Sequence, residues 1–376
     1  MIYLDNAATT EPLYQKTDVL WGNASSLYEI GDISKKILNT CNDMISNMFN
    51  VDKECVIFTS GATEANNWVI KNIIEKKRLE NKEELPHVII SSIEHPSVMN
   101  VVKYYADKNL INVSYLLTDR EGHVLDQELE HLITKNTCLI SCMYANNEIG
   151  SIQPIARIGS FCNKHEIYFH VDATQAVGKT EIDMQLNNID FLTFSGHKFH
   201  GPKGVGCLIC NGLSLLDYIG PFLIGGHQQK GYRAGTENVN DIHNMTMALT
   251  SRINIHGYQD IANKNKEFNS YIEQKLKDTF DKDIYIINSY DYLMPVFNVS
   301  FKDISGEYIV QELNKHNIYI STGSACTSGN LEPSHVLQAI QCPNDYIQGT
   351  IRISFDPYMN TFEDIDELFE ILKEII

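Results

Sequence analysis

From about residue 50 onward, short apolar runs alternate with longer amphipathic ones. Cys55-Val56-Ile57-Phe58-Thr59 reads as a strand, a helical pattern follows from Ala62 to about Lys77, and His87-Val88-Ile89-Ile90-Ser91 reads as the next strand. Further strand-length apolar runs lie at Cys138 to Tyr144, Ile167 to Asp172 and Phe191 to Ser195, with helical patterns between them. Strand, helix and strand in series imply parallel β-structure with helices packed on both faces. Past about residue 250 the pattern changes. It predicts a long helix over Asn263 to Lys277, a strand at Pro295 to Phe301, a helix from Ser305 to about His316, strands at Asn317 to Ser321 and Thr350 to Phe355, and a closing acidic helix at Glu363 to Ile376. This is the pattern of a smaller α+β unit. The acidic, lysine-rich stretch from Glu75 to Glu84 reads as the solvated end of a helix and the loop after it.

Composition narrows the picture. The chain has 376 residues, 43% hydrophobic and 21% charged, enough to bury a large core and to divide into two domains. That balance excludes disorder, collagen and coiled coil. Acidic residues outnumber Lys and Arg 48 to 30, a formal charge of −18, so neither nucleic acid nor an anionic membrane is expected as a partner held by charge. The first residues carry no basic segment leading into an apolar stretch, and no apolar run reaches the roughly 18 residues a spanning helix needs. A cytoplasmic protein is expected.

Nine cysteines, at positions 41, 55, 138, 142, 162, 207, 210, 326 and 342, add one distinction. Most have apolar neighbours and read as small buried hydrophobes in a reducing compartment. Cys207 and Cys210 spell CxxC within a strand-like run and lack a second ligand pair, so no metal is expected. Cys326 differs, because Gly, Ser and Thr surround it.

Three polar clusters fall at predicted strand ends, where open α/β sheets bind ligands. Thr59-Ser60-Gly61-Ala62-Thr63-Glu64 joins a strand to a helix N-terminus and suits a phosphate, though Ser and Thr are also ordinary helix caps. His170-Val171-Asp172-Ala173-Thr174-Gln175 ends a strand with a carboxylate and an amide; an aspartate there is often only a turn residue. Ser195-Gly196-His197-Lys198 ends another, followed by Gly201-Pro202-Lys203-Gly204. Alone, the lysine reads as solvated. On one sheet edge the three supply what pyridoxal phosphate needs: an amine for its aldehyde, a carboxylate for its pyridine nitrogen and a cradle for its phosphate.

With these motifs the sequence resembles, over nearly its whole length, the cysteine desulfurases of the NifS/IscS type in the class-V aminotransferase family. The resemblance is carried also by Tyr3 to Thr10, Phe58 to Asn67, Glu94-His95-Pro96, Ala145-Asn146-Asn147-Glu148-Ile149-Gly150, Arg233-Ala234-Gly235-Thr236-Glu237-Asn238, Gly323-Ser324-Ala325-Cys326 and Ile351-Arg352-Ile353-Ser354. It implies an α/β enzyme of pyridoxal-phosphate fold type I. The large domain, residues 11–250, would hold a mostly parallel seven-stranded sheet; the smaller α+β domain would comprise 1–10 and 251–376. It implies that Lys198 holds pyridoxal 5′-phosphate and moves the substrate Cα proton, that Asp172 pairs with the ring nitrogen and Gln175 with the ring hydroxyl, and that His95 stacks on the ring and assists proton transfer. Asn147 would lie beside the ring hydroxyl and the substrate. Ala62, Thr63, Ser195 and His197 would bind the phosphate, joined by Thr236 of a neighbouring subunit, which implies a homodimer. Arg352 would hold the substrate carboxylate. Cys326 would be the nucleophile that takes sulfur from L-cysteine as a persulfide, leaving L-alanine, and passes it to an acceptor protein such as an iron-sulfur scaffold or a thiolation enzyme.

The stretch from Cys326 to Ser334 resembles the longer sulfur-donating loop within that family. The chain stops at Ile376 without the extended tail that helps some members dock a cluster scaffold, so a different acceptor is an open expectation. The alternatives are a related pyridoxal-phosphate lyase acting on selenocysteine or cystine, and a non-enzymatic paralogue.

Overall fold

A computed structural model of the chain describes residues 1–13, 21–323 and 333–376. The expected nucleophile Cys326 lies outside the described residues. The largest sheet has seven strands in the order Val56–Thr59, Gly206–Cys210, Phe191–Ser195, Tyr168–Asp172, Thr137–Ser141, His87–Ser91 and Asn112–Leu116. Neighbours pair parallel except around Gly206–Cys210, which runs against both strands beside it. Six strands therefore end on the same edge, at Thr59, Ser91, Leu116, Ser141, Asp172 and Ser195, and the expected functional residues lie along it.

Strands Val56–Thr59, His87–Ser91, Phe191–Ser195 and Gly206–Cys210 are buried at every position, as a sheet covered on both faces requires. Alternate side chains feed two cores. Phe58, Ile89, Ile140, Leu192 and Phe194 pack on one side with Ile45, Phe49 and Phe199. Ile57, Val88, Ile90, Leu139 and Phe191 pack on the other with Trp68, Ile73 and Val102. Cys207 and Cys210 fall into different cores, so the CxxC is not a paired site.

The remaining residues build an antiparallel sheet ordered Ser321–Thr322, Thr350–Ser354, Val296–Phe301 and Tyr285–Ile287. Helices Tyr258–Thr279, Gly306–Lys315 and Phe362–Ile375 bury their apolar faces in one core with it, through Phe268, Leu313 and Phe369 among others. Thr361 starts the last helix with a reciprocal capping box to Asp364. The single strand expected over Asn317 to Ser321 is split. Ile318–Tyr319 pairs parallel with Ile2–Tyr3, while Ser321–Thr322 joins the four-stranded sheet. Residue 250, where the sequence pattern changes, lies inside helix Val239–His256.

The first ten residues tie this sheet to the large one. Leu4 and Asn6 exchange backbone hydrogen bonds with Ser354, and farther on the Thr10 N–H donates to the His197 carbonyl.

Candidate active site

The strand ends, the N-terminal segment and strand Thr350–Ser354 enclose a cavity of about 410 Å³. One end is the start of helix Ala62–Glu80. Gly61 precedes it at φ 149, a conformation that favours glycine, and the Ala62 N–H donates to Ser195 Oγ at 2.7 Å. Gly206 allows this turn to lie on the sheet, because a Cβ there would stand 2.7 Å from Gly61 Cα. His197 faces the same region, with Nδ1 3.1 Å from Thr9 Oγ1. Burial and the lysines 198, 203 and 179 press its pKa down to about 4, so the ring is neutral. A helix start whose first N–H groups have no acceptor within the helix, with hydroxyls and a neutral imidazole beside it, is an anion site.

At the centre, Asp172 is 4% exposed and its carboxylate is held by Asn66 Nδ2 at 2.7 Å and the Thr174 N–H at 3.0 Å. Asn66 is fixed in turn, accepting from the Thr193 hydroxyl and donating to Ser97 Oγ. Lys198 Nζ donates to the carbonyls of Ala7 and Ala8 at 2.7 and 2.8 Å. Gln175 Nε2 donates to the same Ala7 carbonyl at 3.0 Å.

His95 caps helix Pro96–Asp107, its Nδ1 accepting from the Ser97 N–H at 3.1 Å and lying 2.8 Å from Ser97 Oγ. Because Nδ1 accepts from the Ser97 N–H, it carries no proton, and the Ser97 hydroxyl donates to it. The neutral ring therefore carries its proton on Nε2. Burial favours this neutral form, pushing the His95 pKa below the usual histidine value.

Across the cavity, Arg352 is 1% exposed. It donates through one terminal nitrogen to the Asn147 carbonyl at 3.0 Å and through the other to Asp5 at 2.7 Å, and its buried Nε has no protein partner among the described residues. Thr174 Oγ1 is likewise buried and unpartnered among them. Both residues line the cavity. Unmet polar groups around a space of this size are what a polar ligand would satisfy.

The cavity thus collects Lys198, His95, Asp172, Gln175, Asn147, Ala62, Thr63, Ser195, His197 and Arg352, residues scattered along the sequence. Thr236 is exposed, before helix Val239–His256, and does not line it. The donor set fits pyridoxal phosphate: amine, carboxylate and anion cradle stand on one sheet edge, with a guanidinium opposite.

Several contributing groups stood in sequence only as members of motifs, with no role of their own. Glu148 is fully buried, its pKa raised by burial to about 7. It accepts from Ser334 Oγ at 2.6 Å, and a Cβ on Gly323 would stand 3.4 Å from the same oxygen. The residues flanking the Cys326 segment thus meet at one carboxyl group of the cavity wall.

Glu94 is buried with one oxygen unpartnered among the described residues, the other accepting from Ser91 Oγ at 2.5 Å and the Met143 N–H at 2.6 Å. Burial, with Asp172 adding to it, raises its pKa from 4.5 to about 8. The fold then binds a proton that the unfolded chain releases above pH 4.5, so stability declines as pH rises from there to about 8 and levels off beyond. Glu94→Gln, which keeps the acceptor and cannot ionise, should lose this decline and be more stable than the parent by about 2–4 kcal/mol at pH 8. Urea denaturation at several pH values measures it, and parallel stability profiles for the two proteins would show that Glu94 does not titrate in this way.

The Aminotransferase class-V family model matches residues 2–368. The cysteine desulfurase IscS of Methanosarcina thermophila is 39% identical, the match covering 100% of this chain and 92% of the relative. Among solved structures, a NifS-like protein superposes with a TM-score of 0.87 at 30% identity, covering 100% of this chain and 98% of that one. The structure of SspA in complex with cysteine gives a TM-score of 0.77 at 29% identity, covering 95% and 99%.

Proposed function

The chain belongs to the class-V aminotransferase family as a pyridoxal-phosphate-dependent cysteine desulfurase of the NifS/IscS type, and we propose that Lys198, Arg352 and Cys326 carry its reaction. Pyridoxal 5′-phosphate, when bound, supplies the electron sink that makes a substrate Cα proton removable and the C–S bond breakable. Lys198 would hold the group through Nζ and would move the substrate Cα proton. Ala62, Thr63, Ser195 and His197 would bind the phosphate, Asp172 would keep the ring nitrogen protonated, Gln175 would meet the ring hydroxyl and Asn147 would lie beside it. Arg352 takes the substrate carboxylate, for which a planar two-donor fork is suited. His95, with its proton on Nε2, acts as a donor rather than a base.

The Cys326 thiolate attacks the sulfur of bound cysteine. An S–S bond forms as the C–S bond breaks, its electrons stay with the carbon, and protonation of that carbon completes L-alanine while the persulfide remains on Cys326. The observation that carries this reading is the convergence of Lys198, Asp172, the helix start and Arg352 on one cavity beside Glu148, where both flanks of the Cys326 segment meet. Incubating the holoenzyme with L-cysteine should release alanine and reducible sulfur in equal amounts. Alanine without bound sulfur, or turnover of selenocysteine alone, would assign it to the lyases instead.

The sulfur acceptor is a protein, an iron-sulfur scaffold or a thiolation enzyme; the −18 charge disfavours direct contact with RNA. The family resemblance, which gives Thr236 to a neighbour's phosphate, makes the active form a homodimer, and the exposure of Thr236 outside the cavity of its own chain supports that reading. The large domain comprises 11–250, and the small one, 1–10 and 251–376, carries Cys326. Among the described residues, no helix is long and apolar enough to cross a membrane, in keeping with a cytoplasmic site of action.

A further inference from the structure

Behind Gln175 sits a lysine that the reaction above does not use. Lys179 is 7% exposed, and its Nζ donates to Gln175 Oε1 at 3.0 Å. At the other end of the amide, Gln175 Nε2 donates to the Ala7 carbonyl at 3.0 Å. An ammonium only donates and a carbonyl only accepts, so these two neighbours fix which end of the amide is which. Turning it over would set NH2 against NH3⁺ and oxygen against oxygen, losing both bonds. The second N–H on Nε2 is then the group that Gln175 has to offer a ligand in the cavity it lines.

The surroundings of Lys179 are cationic. Burial presses its pKa down to about 7, and Arg252, Lys198 and Arg352 act in the same direction. Asp356 opposes them, but that carboxylate is already bonded by Arg252 at 2.6 Å and His200 at 2.7 Å. A buried amine among cations, bonded to the Gln175 amide and outside the cavity lining, is poorly placed to strengthen the fold, and a negative charge beyond that amide would draw it into its ammonium form.

We propose that Lys179 is a positioning residue for the cofactor, holding Gln175 as a donor to the ring hydroxyl and placing positive charge behind it so that the ring oxygen stays anionic. This rests on the reading that Gln175 meets that hydroxyl. A donor and a nearby cation both favour the form with one proton fewer, so both lower the pH at which the holoenzyme's visible absorption changes.

The test is a spectrophotometric pH titration of holoenzyme without substrate, comparing the parent with Gln175→Ala, Lys179→Met, Lys179→Arg and the Gln175→Ala/Lys179→Met double variant. Methionine approximates the lysine stem and removes a buried charge, so the fold should tolerate it. Lys179→Met is expected to raise the midpoint by about one pH unit. Lys179→Arg, which keeps a cationic donor, should restore at least half of that shift. The double variant should shift by less than the sum of the singles, because the lysine acts through the amide. A Gln175→Ala midpoint equal to the parent's would defeat the reading of Gln175 itself. If Gln175→Ala shifts the midpoint and Lys179→Met leaves it in place, or if the two shifts add fully, the role given to Lys179 is overturned.

Discussion

Replacing Lys198 with arginine is expected to abolish both cysteine turnover and the cofactor's visible band while leaving the fold intact. Lys198 has two separable jobs. Its Nζ satisfies the carbonyls of Ala7 and Ala8. In the proposed reaction the same atom is the covalent anchor and the proton carrier. A guanidinium can donate to both carbonyls, but it stays protonated in proteins and cannot take the anchoring role. Lys198→Ala loses both jobs, leaving the Ala8 carbonyl without its donor, at a cost of about 1–3 kcal/mol, and the Ala7 carbonyl with Gln175 alone. Both variants should therefore lose at least about 10⁴-fold in turnover, with alanine clearly destabilised and arginine close to the parent. Alanine formation, absorbance and urea denaturation on the same preparations separate the effects. An arginine variant that kept the visible band would remove Lys198 from the reaction.

The sequence shows most plainly those parts of the fold where a single physical demand acts on consecutive residues. Strands His87–Ser91 and Phe191–Ser195 are buried on both faces, and short, mainly apolar runs mark them at their observed bounds. Asn112–Leu116 pairs on one side only, and most of its residues are exposed or half-buried. An edge strand is free to be polar, so its pattern, Asn-Val-Ser-Tyr-Leu, is not distinct from a loop. The apolar run expected as a strand to Tyr144 ends as one at Ser141, because the chain beyond becomes cavity wall, with the Met143 N–H turned to Glu94.

The same contrast holds in the site. Asp172, His197 and Lys198 stand at strand ends in chemically telling company. Ala7 and Ala8 contribute only carbonyls, which no side-chain pattern reports. Asn66 was visible only as part of a motif; its inward aim follows from its place one turn after Ala62, on the buried face of helix Ala62–Glu80. Glu94, Glu148 and Lys179 are ordinary charged residues until burial shifts their protonation, and burial depends on segments far apart in the chain.

The second large effect is expected at the cysteines, where eight negative results sharpen one positive. All the thiols among the described residues are buried. Burial pushes Cys41 up to about 11 and Cys138 up to about 12, and Cys142, Cys207 and Cys210 well above the usual thiol range. Since the thiolate is the reactive form, none of these is suited to attack a sulfur at neutral pH. Brief iodoacetamide treatment of the native holoenzyme should therefore modify Cys326 alone and stop sulfur transfer in proportion. Cys326→Ser should lower alanine formation from cysteine by at least about 10³-fold without altering the visible band or the urea midpoint. Cys342, at 9% exposed the least buried of the eight, provides the demanding control: Cys342→Ser should keep full activity. Labelling at Cys342 that tracked the loss of activity would move the nucleophile there. Selenocysteine then tests the mechanism itself, because its selenium leaves carbon more readily than sulfur does and has less need of an attacking thiolate. A Cys326→Ser variant that turns over selenocysteine but not cysteine would confine Cys326 to sulfur removal and leave Lys198 and Arg352 with the chemistry common to both substrates.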